Sequence, residues 1–195
     1  MDYESGILKS EVSICSSINT NDCLLRNMDV GNRTIICIAD LELQEGVKYE
    51  TKIRSTNIVG VASELSSDGF VVDSTPPIMG EITHVENPPL EESSQFTSSE
   101  ISVEWSGFLD KESGVQKYYL CIGTQPGGYN VMNFTDVGNS TSYSSRDLQL
   151  VQGETYFVSI KAENRAGLVS DVKSSTGVAV EIGRASCRER VSSPV

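Results

Sequence analysis

Two stretches of this chain repeat each other at an offset of 107 or 108 residues. Asp2-Tyr3-Glu4-Ser5-Gly6-Ile7 recurs as Asp110-Lys111-Glu112-Ser113-Gly114-Val115, and Asp29-Val30-Gly31-Asn32 recurs as Asp136-Val137-Gly138-Asn139. Leu43, Gly46, Tyr49, Asn57 and Gly60 return as Leu150, Gly153, Tyr156, Asn164 and Gly167. A period this long marks a tandem array of domains, each able to bury its own core, rather than a solenoid. Met1 falls opposite Leu109, in the middle of the pattern. The expectation is a first unit over 1–73 that lacks its first two strands, a complete unit over 74–180, and a chain that is a fragment of something longer.

The balance of charge narrows the partners. The chain has 15 Lys and Arg against 27 Asp and Glu, a net charge of −12. That argues against nucleic acid and against contact with an anionic membrane surface. The longest apolar run, Ile35-Ile36-Cys37-Ile38-Ala39, is the length of a strand and not the ~20 residues of a bilayer span. The first residues have neither the basic end nor the apolar stretch of a signal peptide.

The complete unit is expected to be β throughout. Ile101, Val103 and Trp105 alternate with Ser102 and Glu104, the pattern of a half-buried strand. Tyr118, Leu120 and Ile122 alternate in the next. Tyr156, Val158, Ile160 and Ala162 share one face of another, with Thr155, Ser159 and Lys161 on the opposite face. In the first unit the matching outer face reads Lys48, Glu50, Lys52, Arg54. Gly and Asn punctuate the gaps, at Pro126-Gly127-Gly128, Gly138-Asn139, Gly153 and Asn164-Arg165-Ala166-Gly167. Short strands between such turns indicate a sandwich or barrel.

Ser102-Val103-Glu104-Trp105, followed by Leu150, Gly153, Tyr156, Val158, Ala162, Asn164, Gly167 and Ser170, resembles fibronectin type III domains. The motifs Asp-x-Glu-Ser-Gly, Ile122-Gly123-Thr124, Pro126-Gly127-Gly128 and the junction Val72-Asp73-Ser74-Thr75-Pro76-Pro77 are similar to the tandem repeats of large invertebrate extracellular proteins. The resemblance implies an all-β chain of two tandem fibronectin type III (immunoglobulin-like) β-sandwiches, the first truncated at its N-terminus. It implies a structural core built on Trp105, Leu150 and Tyr156, with Leu43 and Tyr49 in the first unit. Leu150 precedes Tyr156 by the spacing of a tyrosine corner, in which the ring packs inward and the hydroxyl ties back to nearby backbone. The first unit departs from the pattern: Cys15-Ser16 replaces Gly-Thr, and Asn19-Thr20-Asn21-Asp22 replaces the Pro-Gly-Gly turn. Pro76-Pro77 removes two amide donors and is expected to hold neighbouring modules head to tail.

Residues 181–191 resemble an in-frame translation of a common short-read sequencing adapter. The segment 181–195 is therefore expected to be a non-native tail and is left out of fold reasoning. Without it, residues 1–180 carry 12 basic and 25 acidic side chains.

Four cysteines then remain, Cys15, Cys23, Cys37 and Cys121, which permit three full pairings. Cys15 ends one strand and Cys23 precedes its hairpin partner, so a Cys15–Cys23 disulfide is the preferred reading. Cys23–Cys37 is the alternative, less favoured because in this fold that strand belongs to the other sheet. Three sequons occur, at Asn32, Asn133 and Asn139, and Asn32 and Asn139 occupy matching positions in the two units.

Catalytic chemistry finds little to work with. His84 is the only histidine, expected on a strand at the sandwich edge, and one His makes neither a zinc site nor a Ser-His-Asp relay. No Cys-x-x-Cys and no phosphate-cradling glycine motif occurs. Asp110 and Glu112 are the best metal candidates, since two carboxylates in one loop suit Ca²⁺, with Asp73 approaching from the junction. The same side chains serve equally to cap their own turn, and that reading is preferred. No cofactor is expected, and no catalytic residue is assigned. The expected function is non-catalytic: a protein-binding or structural spacer module of an extracellular adhesion, matrix or receptor-ectodomain protein. Its partner would be a protein ligand met through the loops 110–114, 123–130 and 164–167. The alternative is an accessory module of a secreted enzyme whose catalytic domain lies elsewhere.

Overall fold

A computed structural model describes residues 6–19, 21–85 and 100–180. Asp2 to Ser5 of the first repeat motif and the tail 181–195, with its adapter resemblance, lie outside the described residues. Among those described, every regular element is a strand, and every strand pair is antiparallel. The chain divides into two compact units. Met1–Thr75 together with Asp110–Gly114 forms one; Pro76–Leu109 together with Val115–Val195 forms the other. The division falls two residues later than the repeat places it, and the Asp-x-Glu-Ser-Gly loop goes with the first unit.

The first unit holds β1 (Ile7–Ser16), β2 (Cys23–Asp29), β3 (Lys48–Asn57), β4 (Ala62–Ser66) and β5 (Phe70–Val71). All five belong to one sheet, in the order β2-β1-β3-β4, with β5 also on β3. The register aligns Met28, Val12, Ile53 and Leu65 in one row across the sheet, so one face is apolar. Val12 and Ile14 are buried, yet Ile53 is 43 % exposed and Leu65 74 %. Residues 35–39, expected to be strand-like, carry no ladder, and Ile35 is 83 % exposed.

The second unit holds β6 (Glu81–His84), β7 (Ile101–Ser106), β8 (Val115–Gly123), β9 (Met132–Asp136), β10 (Ser142–Ser145), β11 (Thr155–Asn164), β12 (Lys173–Ser174) and β13 (Val178–Ala179). One sheet runs β10-β7-β6 and the other β12-β11-β8-β9, with β13 also on β11. The last edge is thus split into two short pieces on β11, as β4 and β5 are on β3. Ile82, Val103 and Trp105 from the first sheet pack with Leu120, Ile122, Val158 and Ile160 from the second. The Trp105 and Tyr118 rings meet edge to face, 5.5 Å apart at 72°. This is a complete sandwich around one core.

Both units build the same corner. The Tyr156 hydroxyl accepts the Val151 N–H at 2.8 Å, and the Tyr49 hydroxyl accepts the Gln44 N–H at 3.1 Å. Both tyrosines are buried, and Leu150 packs against the core. Leu43 departs from the expected core position: it stays 39 % exposed, because no second sheet of its own unit lies over it among the described residues.

In the second unit the strict inside–outside alternation fails where β8 and β11 lie side by side. Cys121 and Ser159, on the outer face of their strands, are fully buried. The Pro126-Gly127-Gly128 turn folds onto them. The Gly127 N–H is shared between Ser159 Oγ and Ser174 Oγ, each at 3.0 Å, and the Cys121 thiol donates to the Gly128 carbonyl at 3.3 Å. Gly123 makes that approach possible, since a Cβ there would lie 2.4 Å from the Gly128 backbone.

Candidate binding surfaces

The matching turns after β2 and β9 are built alike. Asp29 Oδ1 accepts the Gly31 N–H at 2.8 Å, and Asp136 Oδ1 accepts the Gly138 N–H at 2.8 Å. Each is a side-chain-capped turn with Gly in the left-handed region, φ 58° and 64°. Asn32 and Asn139 follow directly and are exposed. The Gly138 bond, and after it the Lys117 ammonium, hold the Asp136 carboxyl below its usual range.

The hairpins leading into those turns share a bulge. Leu120 faces Thr135 and Ile122 faces Met132, so Cys121 alone faces both Asn133 and Phe134. In the first unit Val12 faces Met28 and Ile14 faces Leu25, so Ser13 faces both Arg26 and Asn27. An extra residue on one strand re-aims side chains there. It brings Phe134 to the outer face, where the Lys161 ammonium lies 4.6 Å from its ring centre and 5.3 Å from that of Tyr119. Beside them Tyr119 donates to Glu163 at 2.7 Å, while Lys117 sits 3.3 Å from Asp136 and 3.7 Å from Glu163. Tyr119 first, then the carboxylates of Asp136 and Glu163, hold the Lys117 ammonium above its ordinary range. These charges are mostly paired with one another across the strands. On the corresponding face of the first unit a shallow groove runs between Ser13, Cys15, Arg26, Lys52, Arg54 and Glu64. The sequence shows the charged row of β3 but not this groove, which depends on the bulge in β2.

The candidate metal ligands do come together. Oxygens of Asp73, Asp110 and Glu112 lie within 4.8 Å of one another. Asp110 is buried, and its Oδ1 accepts the N–H groups of Ser113 at 2.9 Å and Gly114 at 2.7 Å, while the Ser113 hydroxyl donates to Asp73. Glu112 accepts the Thr75 hydroxyl at 3.3 Å. These bonds fasten the loop, which is what capping side chains do.

The other two expected binding loops are also held from within. In 164–167, Asn164 is fully buried and its Oδ1 accepts the N–H groups of Ala166 at 3.1 Å and Leu168 at 2.8 Å. Asn57 does the same for Val61 in the first unit, at 2.8 Å. In 123–130, Asn130 Oδ1 accepts the Thr124 N–H at 3.0 Å. His84 lies on the edge strand β6, where its Nε2 is 2.7 Å from the Thr176 carbonyl and 3.0 Å from the Ser175 hydroxyl. A carbonyl only accepts, so Nε2 carries the proton, and the ring stitches the two sheets at that edge. The Cys15 and Cys23 sulfurs are 2.03 Å apart, a disulfide across the β1–β2 hairpin, while Cys37 is exposed and Cys121 buried. Burial pushes the Cys121 thiol up. No helix among the described residues is long and apolar enough to cross a membrane.

No known family profile matches the chain, and no curated protein matches it. Among solved structures it is similar to domains A168-A170 of titin, at 12 % identity and a TM-score of 0.49, over 88 % of this chain and 55 % of that one. It is also similar to the FN1-FN3 domains of chicken CNTN1, at 17 % identity and a TM-score of 0.37, over 89 % of this chain and 56 % of that one. The chain thus spans little more than half the length of either.

Proposed function

We propose that the chain is a non-catalytic, fibronectin type III-like binding or spacer module of an extracellular adhesion, matrix or receptor-ectodomain protein. The observation that carries this reading is where the second sandwich places its chemistry. Its interior is filled by Trp105, Leu120, Ile122, Val158 and Ile160, and its polar side chains fasten loops and edges. A packed core leaves the loops and outer sheet faces as the surfaces a protein ligand can meet. The Cys15–Cys23 bond fits an oxidising compartment, and the exposed Asn32, Asn133 and Asn139 fit a secreted chain. The Asp73, Asp110 and Glu112 loop serves in this reading as a turn held by its own hydrogen bonds. Secretion from a eukaryotic host, with mass measured before and after enzymatic removal of N-glycans, tests the assignment. The expected result is a mass loss together with an oxidised Cys15–Cys23 pair in non-reducing peptide maps. An unmodified chain with both thiols free contradicts the extracellular reading, and a hydrolase activity carried by pure 74–180 contradicts the non-catalytic one.

A further inference from the structure

Strand β9 is an edge. It pairs with β8 on one side and with no strand on the other among the described residues. Such an edge offers unpaired N–H and C=O groups to any other strand, and proteins blunt it with bulges and charged side chains. The matching edge of the first unit, β2, has both devices: its bulge sets Arg26 beside Asn27, and Arg26 is exposed. The repeat places Asn133 where Arg26 stands. The second edge therefore keeps the bulge and loses the arginine, which leaves Asp136 as the charged residue of β9, with half-buried Phe134 next to Asn133.

Asn133 opens the sequon Asn133-Phe134-Thr135. Its Oδ1 accepts the Phe134 N–H at 2.7 Å, and the Thr135 hydroxyl donates to the Asn133 carbonyl at 3.0 Å. The side chain is exposed, and its Nδ2, the atom that takes a glycan, has no hydrogen-bond partner among the described residues. Asn139 sits instead in the turn beyond the ladder.

We propose that Asn133 carries an N-linked glycan that guards the β9 edge, filling the place that charged Arg26 fills on β2. The inference rests on the extracellular reading, because the donor, a lipid-pyrophosphate oligosaccharide, is met in the secretory pathway. The Asn133 amide nitrogen bonds to the sugar C1, the C1–O bond to the lipid pyrophosphate breaks, and the amide gives up one proton. A branched, hydrated sugar on the bulge then obstructs an incoming strand sterically, where Arg26 does so by charge.

The test uses the full chain secreted from a eukaryotic host. Glycopeptide mapping reads each sequon, and sedimentation at rising concentration compares wild type with N133Q, N139Q and N133R. The expected result is a glycan at Asn133, more self-association of N133Q than of wild type or N139Q, and a return to wild-type behaviour in N133R, which has charge but no glycan. A bare Asn133 beside occupied Asn32 or Asn139 overturns this inference and leaves the extracellular reading standing. No glycan at any sequon overturns both. An occupied Asn133 whose loss leaves self-association at the wild-type level overturns the guarding role, as does an N133R chain that associates as N133Q does.

Discussion

The hairpin of β1 and β2 and the hairpin of β8 and β9 occupy the same place in the repeat and are closed by different chemistry. In the first, Cys15 and Cys23 face each other and are bonded. In the second, the position of Cys15 is Gly123, and the loop packs so closely that Gly128 backbone and Asn130 Oδ1 fill the space a side chain would need, at 2.4 and 2.8 Å. One hairpin is held by a covalent bond and the other by contact. The sheets behind them differ in the same sense. β8 and β11 are covered by β6, β7 and β10, and their inner residues are fully buried. β1 and β3 carry a thinner apolar row, with Ser10, Thr51 and Ser55 where the second unit has Tyr118, Val158 and Ala162, and no second sheet of their unit covers it among the described residues. Residues 35–39 show the consequence: their counterpart β10 is a strand because it pairs with β7, and they have no such partner. Pairing, more than local propensity, decides which of two related segments becomes a strand.

Breaking each unit at its centre should expose the difference most strongly. Trp105→Ala removes a side chain that is 3 % exposed and should destabilise the second unit by about 3–5 kcal/mol in denaturant melts. Ile53→Ala in the first unit should cost about 1 kcal/mol or less, since much of that side chain already meets water. Equal costs would show that the first sheet is covered after all. Gly123→Ala should cost about 1–3 kcal/mol, because the loop must lift off Cys121 and Ser159. For the same reason a disulfide moved from positions 15 and 23 to positions 123 and 130 should not stabilise the second unit, and a gain in its melting temperature would refute the close-packing account. Removing one corner hydroxyl, by Tyr156→Phe or Tyr49→Phe, should cost about 1 kcal/mol in either unit, the one comparison in which the two behave alike. Thiol labelling is the mildest probe. Cys37 should react in the native chain and Cys121 only after unfolding, read residue by residue in peptide maps. Rapid native labelling of Cys121 would mean that the Gly127-Gly128 turn opens freely.

Much of this was legible in the residues. Alternation of Ile101, Val103 and Trp105 places the β7 core face, because it is a local periodic signal, whereas the corner at Leu150 and Tyr156 was legible only through the resemblance to fibronectin type III domains. Other features left no such trace. Burial of Cys121 and Ser159 depends on a loop folding back over an outer face, and alternation assigns that face to solvent. The bulges depend on how two strands are counted against each other, so nothing in Asn133-Phe134 alone shows that both residues face Cys121. The exposure of Leu43 depends on a covering layer that no local pattern reports.

Amide hydrogen exchange on the full chain tests the comparison most directly, since each strand reports its own opening free energy in one molecule. The account predicts the slowest exchange at Leu120, Ile122, Val158 and Ile160 in β8 and β11, lost together in one cooperative event. It predicts clearly faster exchange at the matching ladder positions Val12, Ile14, Thr51 and Ile53 in β1 and β3. Equal protection of the two sheets would contradict it.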